Sequence, residues 1–479
     1  MRSSLAEAQV APHTTSPSRI AATRHLVRRT ACYALPPAVR NRYALSATPV
    51  DRPAVGLARL LGVKRHEWPA LIVAFIYFFC VLAAYFVIRP VRDQFPAAIG
   101  SKELPFFYGV VFIAMLVLTP LYGKLVARYP RGLFVPAVYA LAALVTLGFI
   151  PLFQLQDVLG VRMLGVLFFV WGSVFNLFVV AVFWSFMADL FDSEQAHRLF
   201  PVIALGGALG AILGPALTNR LVHQIGVSGL LVFTATLLAS SIVCVLWLSR
   251  WSRAHPVAGD EDREQRIIGG SMLAGAQRTL SSPFLRRVAL LMLLGDAVGT
   301  IIYAMLADYN GATHSTRESQ IEFLSAIDFA TNLLQMILQI ALTRELMVRL
   351  GPRYPLALDG VIKAATMLAM IAFGAPFIAA VAVVTRASAY GVFKPAADSL
   401  YTRVDAEIRY KGKSFIDTTV WRFGDIVITL AFNALKSLGT ALPGFALIAA
   451  AGGLASGWIG WRLATTPELA PDQSRSSGA

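Results

Sequence analysis

A chain of 479 residues that is 57% hydrophobic and only 14% charged carries more apolar sequence than a soluble core can use, since soluble domains are about 25% charged. Its net charge of +15 would suit a nucleic-acid binder, but the Lys and Arg lie mainly in the N-terminal tail and in alternate loops. That distribution orients a membrane protein, so no nucleic-acid partner is expected.

Residues 1–63 form a basic tail; up to position 67 there are eleven Lys or Arg against Glu7, Asp51 and Glu67. It is Arg-, Ser- and Ala-rich without periodicity, which predicts disorder. It reads as an organellar transit segment or as an upstream stretch that reflects the choice of start codon. Trp68 to Ile88 then runs 21 residues without a charge, enough for helix to cross a hydrocarbon core about 30 Å thick. Continuing along the chain, apolar blocks predict spans at about 106–126, 133–153, 161–187, 200–218 and 229–249, a first half at 64–250. After a polar linker at 251–286, a second half at 287–463 holds spans at about 287–307, 321–342, 355–374, 376–394, 415–434 and 441–461, before a polar tail at 464–479. A very short turn at Gly374 to Pro376 must separate two of these. The expected fold is an all-α polytopic membrane protein of about twelve helices, acting as a monomer in the lipid bilayer.

An even span number puts both termini on one side, and the basic tail and Arg-rich linker predict that this side is cytoplasmic. Loops with Lys124, Arg128 and Arg131, with Arg344, Arg349 and Arg353, and with Arg403, Arg409, Lys411 and Lys413 fall on the same side. The first loop, with Arg89, Arg92 and Lys102, is the exception. A bacterial plasma membrane is the expected location, an organelle inner envelope the alternative.

The halves echo each other where the fourth span leads to the fifth. Asp192-Ser193-Glu194 recurs as Asp405-Ala406-Glu407, and Arg198 with Phe200 recurs as Lys413 with Phe415. Two six-span halves of parallel topology are the layout of the major facilitator superfamily, which binds substrate near mid-membrane between the halves.

An ionisable group inside a span costs at least about 2.5 kcal/mol, so each needs a partner or water and is a candidate for function. Arg89 and Arg92 are three apart, on one face if the first helix continues, although Pro90 predicts a break there. With Asp93 they would suit a phosphate or carboxylate at a cavity mouth, or would simply snorkel. Asp328, Asn332, Gln335 and Gln339 form one stripe of the eighth span, either a substrate site or interhelical glue. Arg386 is about ten residues inside the tenth span, with Tyr390 and Lys394 at successive steps of four; its expected counter-charge is Asp328 or Asp296. Asp359 with Lys363 and Arg422 with Asp425, beside Asp417, can pair on their own helices as gates or as static ion pairs. Gly206, Gly210 and Gly214, and Gly453 with Gly457, predict close helix packing.

No His, Cys or carboxylate grouping has metal-site spacing, and Lys411-Gly412-Lys413-Ser414 lacks the upstream glycine of a phosphate-binding loop. No cofactor is therefore expected, and with no nucleophile and base pair in view the chain does not read as an enzyme.

Tyr85 to Asp93 resembles the signature after the first span of the bacterial and plastid ATP/ADP antiporter family. Tyr410-Lys411-Gly412-Lys413-Ser414-Phe415-Ile416-Asp417, with Arg422 beyond, resembles that family's signature entering the eleventh span, and Asp192 to Pro201 is similar to its counterpart before the fifth. The likeness covers roughly 64–463. It implies exchange of nucleotides such as ATP and ADP, with Arg89, Arg92, Lys411 and Lys413 contacting phosphates. Where the family resembles Arg-Asp-Thr-Lys-Asp, this chain has Arg89-Pro90-Val91-Arg92-Asp93, so fold transfers better than substrate. The reading is a secondary transporter of a small anionic solute working by alternating access through Arg386 and Arg92. The alternatives are proton symport of another organic anion and a non-transporting membrane protein that keeps the fold.

Overall fold

The computed structural model describes residues 63–129, 131–254, 279–403, 412–413 and 415–465. The N-terminal tail to residue 62, most of the linker, the acids Asp405 and Glu407, Lys411 and the C-terminal tail from 466 lie outside the described residues. Among the described residues the structure is helical, and ten helices are long and apolar enough to cross a membrane.

In chain order these are α1 (Trp68–Ile99), α2 (Leu104–Arg128), α3 (Arg131–Gln154) and α4 (Val161–Leu190), then the 62-residue run Ser193–Ala254. Gly226, at φ 61 and ψ −173, breaks that run into α5 and α6, because only glycine adopts such a backbone without strain. The second set is α7 (Pro283–Thr313), α8 (Arg317–Leu338, continued to Leu350), α9 (Arg353–Phe373), α10 (Ile378–Ser388, continued to Leu400), α11 (Trp421–Ser437, preceded by Ile416–Val420) and α12 (Leu442–Thr465). The run 193–254 is long enough for two crossings once it breaks at Gly226, and α11, which is not among the ten, makes the described long helices twelve. Gly374, at φ 81, makes the short turn between α9 and α10.

The first span corrects the sequence expectation. Helix α1 does not break at Pro90; it passes through Pro90 and Pro96 and ends at Ile99. Neighbouring helices let membrane helices carry proline; the carbonyl that Pro90 frees is that of Phe86, four residues earlier, and Thr218 of α5 donates to the next one, Val87, at 3.2 Å, tying α5 to α1 beside the proline. Arg89, Arg92 and Asp93 are thus residues of a helix, and Lys102 alone of that basic set follows it.

Small residues fix the close crossings. A Cβ at Gly206 or Gly210 would run into the carbonyl oxygens of Phe75 and Phe79, so α5 and α1 meet backbone to backbone. Gly360 of α9 sits likewise against Gly453 and Gly457 of α12. In the first half Tyr77 donates to Tyr139 at 2.8 Å and Tyr139 to the Val179 carbonyl at 3.0 Å, tying α1, α3 and α4 together with both hydroxyls satisfied.

Helices α8, α10 and α11 each contain a wide π-helical turn, at Gln339–Thr343, Ala389–Phe393 and Ile416–Val420. The first two interlock, with Thr343 donating to the Gly391 carbonyl at 2.7 Å and Gln339 to that of Tyr390 at 3.3 Å. Such turns re-aim side chains and occur disproportionately at functional sites.

Candidate functional site

A cavity of about 200 Å³ lies between the halves. The first half contributes Arg89 and Arg92 of α1, Tyr108 of α2 and Phe169 and Ser173 of α4; the rest comes from α7, α9, α10 and α11. Its wall carries six cations, Arg89, Arg92, Lys363, Arg386, Lys394 and Arg422, against two carboxylates, Asp296 and Asp425.

Further carboxylates hold these cations without lining the cavity themselves. Asp93 takes Arg92 at 2.7 Å and accepts from the Tyr303 hydroxyl at 3.1 Å. Asp328, 2% exposed, accepts from Arg386 at 2.7 Å. Its other oxygen lies 3.6 Å from Arg89 Nε. That separation is too long for a hydrogen bond, and both buried atoms lack a hydrogen-bond partner. One carboxylate therefore stands between a guanidinium of each half, with an unmade bond on the Arg89 side. Asp359 pairs with Lys363 at 2.8 Å, and Lys363 also donates to the Gly295 carbonyl at 3.0 Å.

The polar stripe of α8 divides. Asp328 serves the guanidinium pair, Asn332 donates to the Ala211 carbonyl of α5 at 2.6 Å, and Gln339 bonds α10. Asn332 and Gln335 do not line the cavity, whereas Arg386, Tyr390 and Lys394 all do. The site and glue readings thus fall to different residues of one face.

Lys413 also lies off the cavity wall. It joins a closed ring in which Lys394 and Lys413 each contact Asp398 and Asp417; Lys394 is 3.2 Å from Asp417 and Lys413 3.3 Å. Burial pulls the Lys413 ammonium down, but the hydrogen bond to Asp398 and the Asp417 charge outweigh it and leave its pKa raised. Arg422 and Asp425 pair at 3.4 Å, and Thr300 donates to Asp425 at 2.9 Å.

Sequence reasoning named Asp296 only as a counter-charge for Arg386, a role Asp328 fills, and passed over Tyr108, Thr300 and Tyr303. Tyrosines in otherwise apolar spans were the available signal, because a buried hydroxyl seeks a partner.

Residues 27–215 match the model of the Major Facilitator Superfamily. The solved nucleoside transporter NupG superposes with a TM-score of 0.58 at 14% identity, over 83% of this chain and 100% of its own. A bacterial homologue of the iron transporter ferroportin, in an inward-facing state, gives 0.58 at 15% over 84% and 99%. The chain has the major facilitator fold. It is also 21% identical to ADP,ATP carrier protein 1 of Chlamydia trachomatis over 76% of this chain and 81% of that one, and 20% identical to the Chlamydia muridarum protein over the same shares.

Proposed function

We propose that this major-facilitator chain is a secondary transporter of an anionic solute, bound between the halves and carried by alternating access. The observation that carries the reading is the Asp328 bridge between Arg89 and Arg386, set in a wall of six cations and two carboxylates. An isolated buried charge is costly, and internal carboxylates hold the guanidiniums here. An arriving phosphate or carboxylate takes over these bonds from Asp328 and couples solute binding to the contact between halves. Likeness to the Chlamydia carriers supports a nucleotide of the ATP/ADP type and exchange as the mode.

The substrate-contacting set is Arg89, Arg92, Arg386 and Tyr390, with Lys363 and Lys394 in the same wall. Of the sequence's two readings for the Asp359–Lys363 and Arg422–Asp425 pairs, the static one is favoured: each pair lies on a single helix and holds Lys363 or Arg422 in the cavity wall. The chain works in a bacterial plasma membrane with cytoplasmic termini. Uptake or exchange of labelled ATP, ADP and simpler organic anions in proteoliposomes tests the proposal; no movement under any gradient overturns it.

A second reading, proton symport of a smaller organic anion, draws on the cavity volume. About 200 Å³ is below the roughly 300–1,000 Å³ of common ligand sites, so a nucleotide needs this conformer to widen. For symport through Asp328, Asp328→Asn abolishes gradient-driven uptake and spares counterflow. Retention of both removes Asp328 from the mechanism.

A further inference from the structure

A second cavity, about 370 Å³, lies away from the first, among the end of α4, the start of α3 and the end of α6. On α6 it is lined by Leu246, Ser249, Arg250 and Arg253, whose spacing of three, four and seven places them on one helical face, with Ser252 beside them. Phe186 and Leu190 of α4 form a buried apolar floor. Among the described residues of the lining, Asp189 on the same helix is the one carboxylate against two guanidiniums, a net positive balance.

The polar groups are incompletely used. Arg253 donates its Nε to the Ser249 carbonyl at 3.2 Å, which offsets the negative end of the α6 dipole. The Ser249 hydroxyl is buried and has no hydrogen-bond partner, the kind of orphan that calls for an acceptor or donor from outside. Arg250 and Arg253 are both exposed at the rim.

The same helix face continues toward the bilayer interior as exposed apolar surface, with Val243 66%, Leu246 40% and Trp247 38% exposed. A cationic mouth at a helix end, above an apolar floor and beside a lipid-facing strip, matches a phospholipid with its phosphate in the mouth and its acyl chains along the strip. Basic pockets between membrane helices hold anionic headgroups in this way. Free phosphate would satisfy the mouth and leave the strip without a role.

We propose that this cavity binds the headgroup of an anionic phospholipid, with Arg250, Arg253 and Ser249 holding the phosphate. The site is separate from the solute cavity and does not depend on the transport reading.

The test uses the full chain purified in detergent and loaded with phosphatidylglycerol or phosphatidylcholine, read by lipid adducts in native mass spectrometry and by the thermal midpoint. The parent is expected to retain phosphatidylglycerol over phosphatidylcholine by about tenfold, given the attraction of two basic side chains near an anionic surface. Arg250→Gln with Arg253→Gln removes that preference and the added thermal stability, while Arg250→Lys with Arg253→Lys keeps both. Equal retention of the two lipids by the parent, or an unchanged preference in the double Gln variant, overturns the proposal. Displacement of phosphatidylglycerol by millimolar glycerol phosphate also overturns it, assigning the mouth to a soluble phosphate. Should the double Gln variant fail to fold, the single variants decide: a reduced preference in either supports the site, and none in both rejects it.

Discussion

The two ends of the bundle use charge differently. At the end where α1 finishes, bonds run from one half to the other. Ser101 gives its backbone N–H and hydroxyl to Asp308 of α7 at 3.0 and 2.8 Å, Lys436 of α11 reaches the same carboxylate at 2.5 Å, and Asn433 donates to the Ser101 and Lys102 carbonyls. His223 with Glu322 at 2.9 Å and Asn219 with the Glu322 carbonyl at 3.0 Å add a second crossing there. At the end where α1 begins, two charge clusters of the described residues each lie within one half: Glu67, fully buried, takes both terminal guanidinium nitrogens of Arg198 at 3.0 Å, and Lys394 and Asp398 of α10 make a ring with Lys413 and Asp417 before α11. Bonds within a half survive when the halves move apart, while bonds between halves must break. The far end is therefore the latch of this conformer and the near end holds the separate halves in shape.

Four experiments break or sharpen that contrast. The largest effect is expected from joining the latch covalently. Cysteines at Ser101 and Asn433, oxidised to a disulfide, should reduce exchange to background, and reductant should restore it. Next is Arg386→Ala, which leaves Asp328 buried at the pivot between the two ends. Arg386 is also a proposed contact of the solute, and truncating one partner of a buried hydrogen-bonded charge pair in a binding interface costs about 2–5 kcal/mol, so anion affinity measured by thermal shift should fall by at least about 30-fold.

A smaller change comes from Asp308→Asn, which keeps shape but loses the charge that gathers Ser101 and Lys436. A cysteine at Gly299 in the cavity wall, with Cys32, Cys80 and Cys244 replaced by Ser, should then react about tenfold faster with an impermeant thiol reagent from the latch side, for a loss near 1.4 kcal/mol. The smallest is Glu67→Gln. Weakening a charge-assisted hydrogen bond of about 1.5–3 kcal/mol should lower the thermal midpoint by a few degrees and leave cysteine reactivity at the latch side unchanged. A rise in that reactivity would show that the near end also joins the halves.

Much of this was legible in the sequence for a simple reason. Span positions follow from local apolar length, and the turn at Gly374 from a glycine before a proline. The i to i+4 pair Asp359–Lys363 and the tight glycine crossings likewise need only helical periodicity. The break expected at Pro90 failed because a membrane helix can carry proline when it is packed among neighbouring helices, as α1 is against α5. The α8 stripe could not be divided from sequence, since Asp328, Asn332 and Gln339 share a face and differ only in what stands opposite each.

By itself the sequence determined the helices, their two sets of six and the presence of buried charge, because the hydrocarbon thickness and the cost of burying ions act on each segment locally. Only the tertiary structure decided that Asp328 faces both Arg89 and Arg386, that Lys363 enters the cavity wall while Asn332 does not, and that Ser101 meets Asp308 across the halves. Those pairings join residues tens to hundreds of positions apart, and the packing of whole helices sets which of the available partners each charge finds.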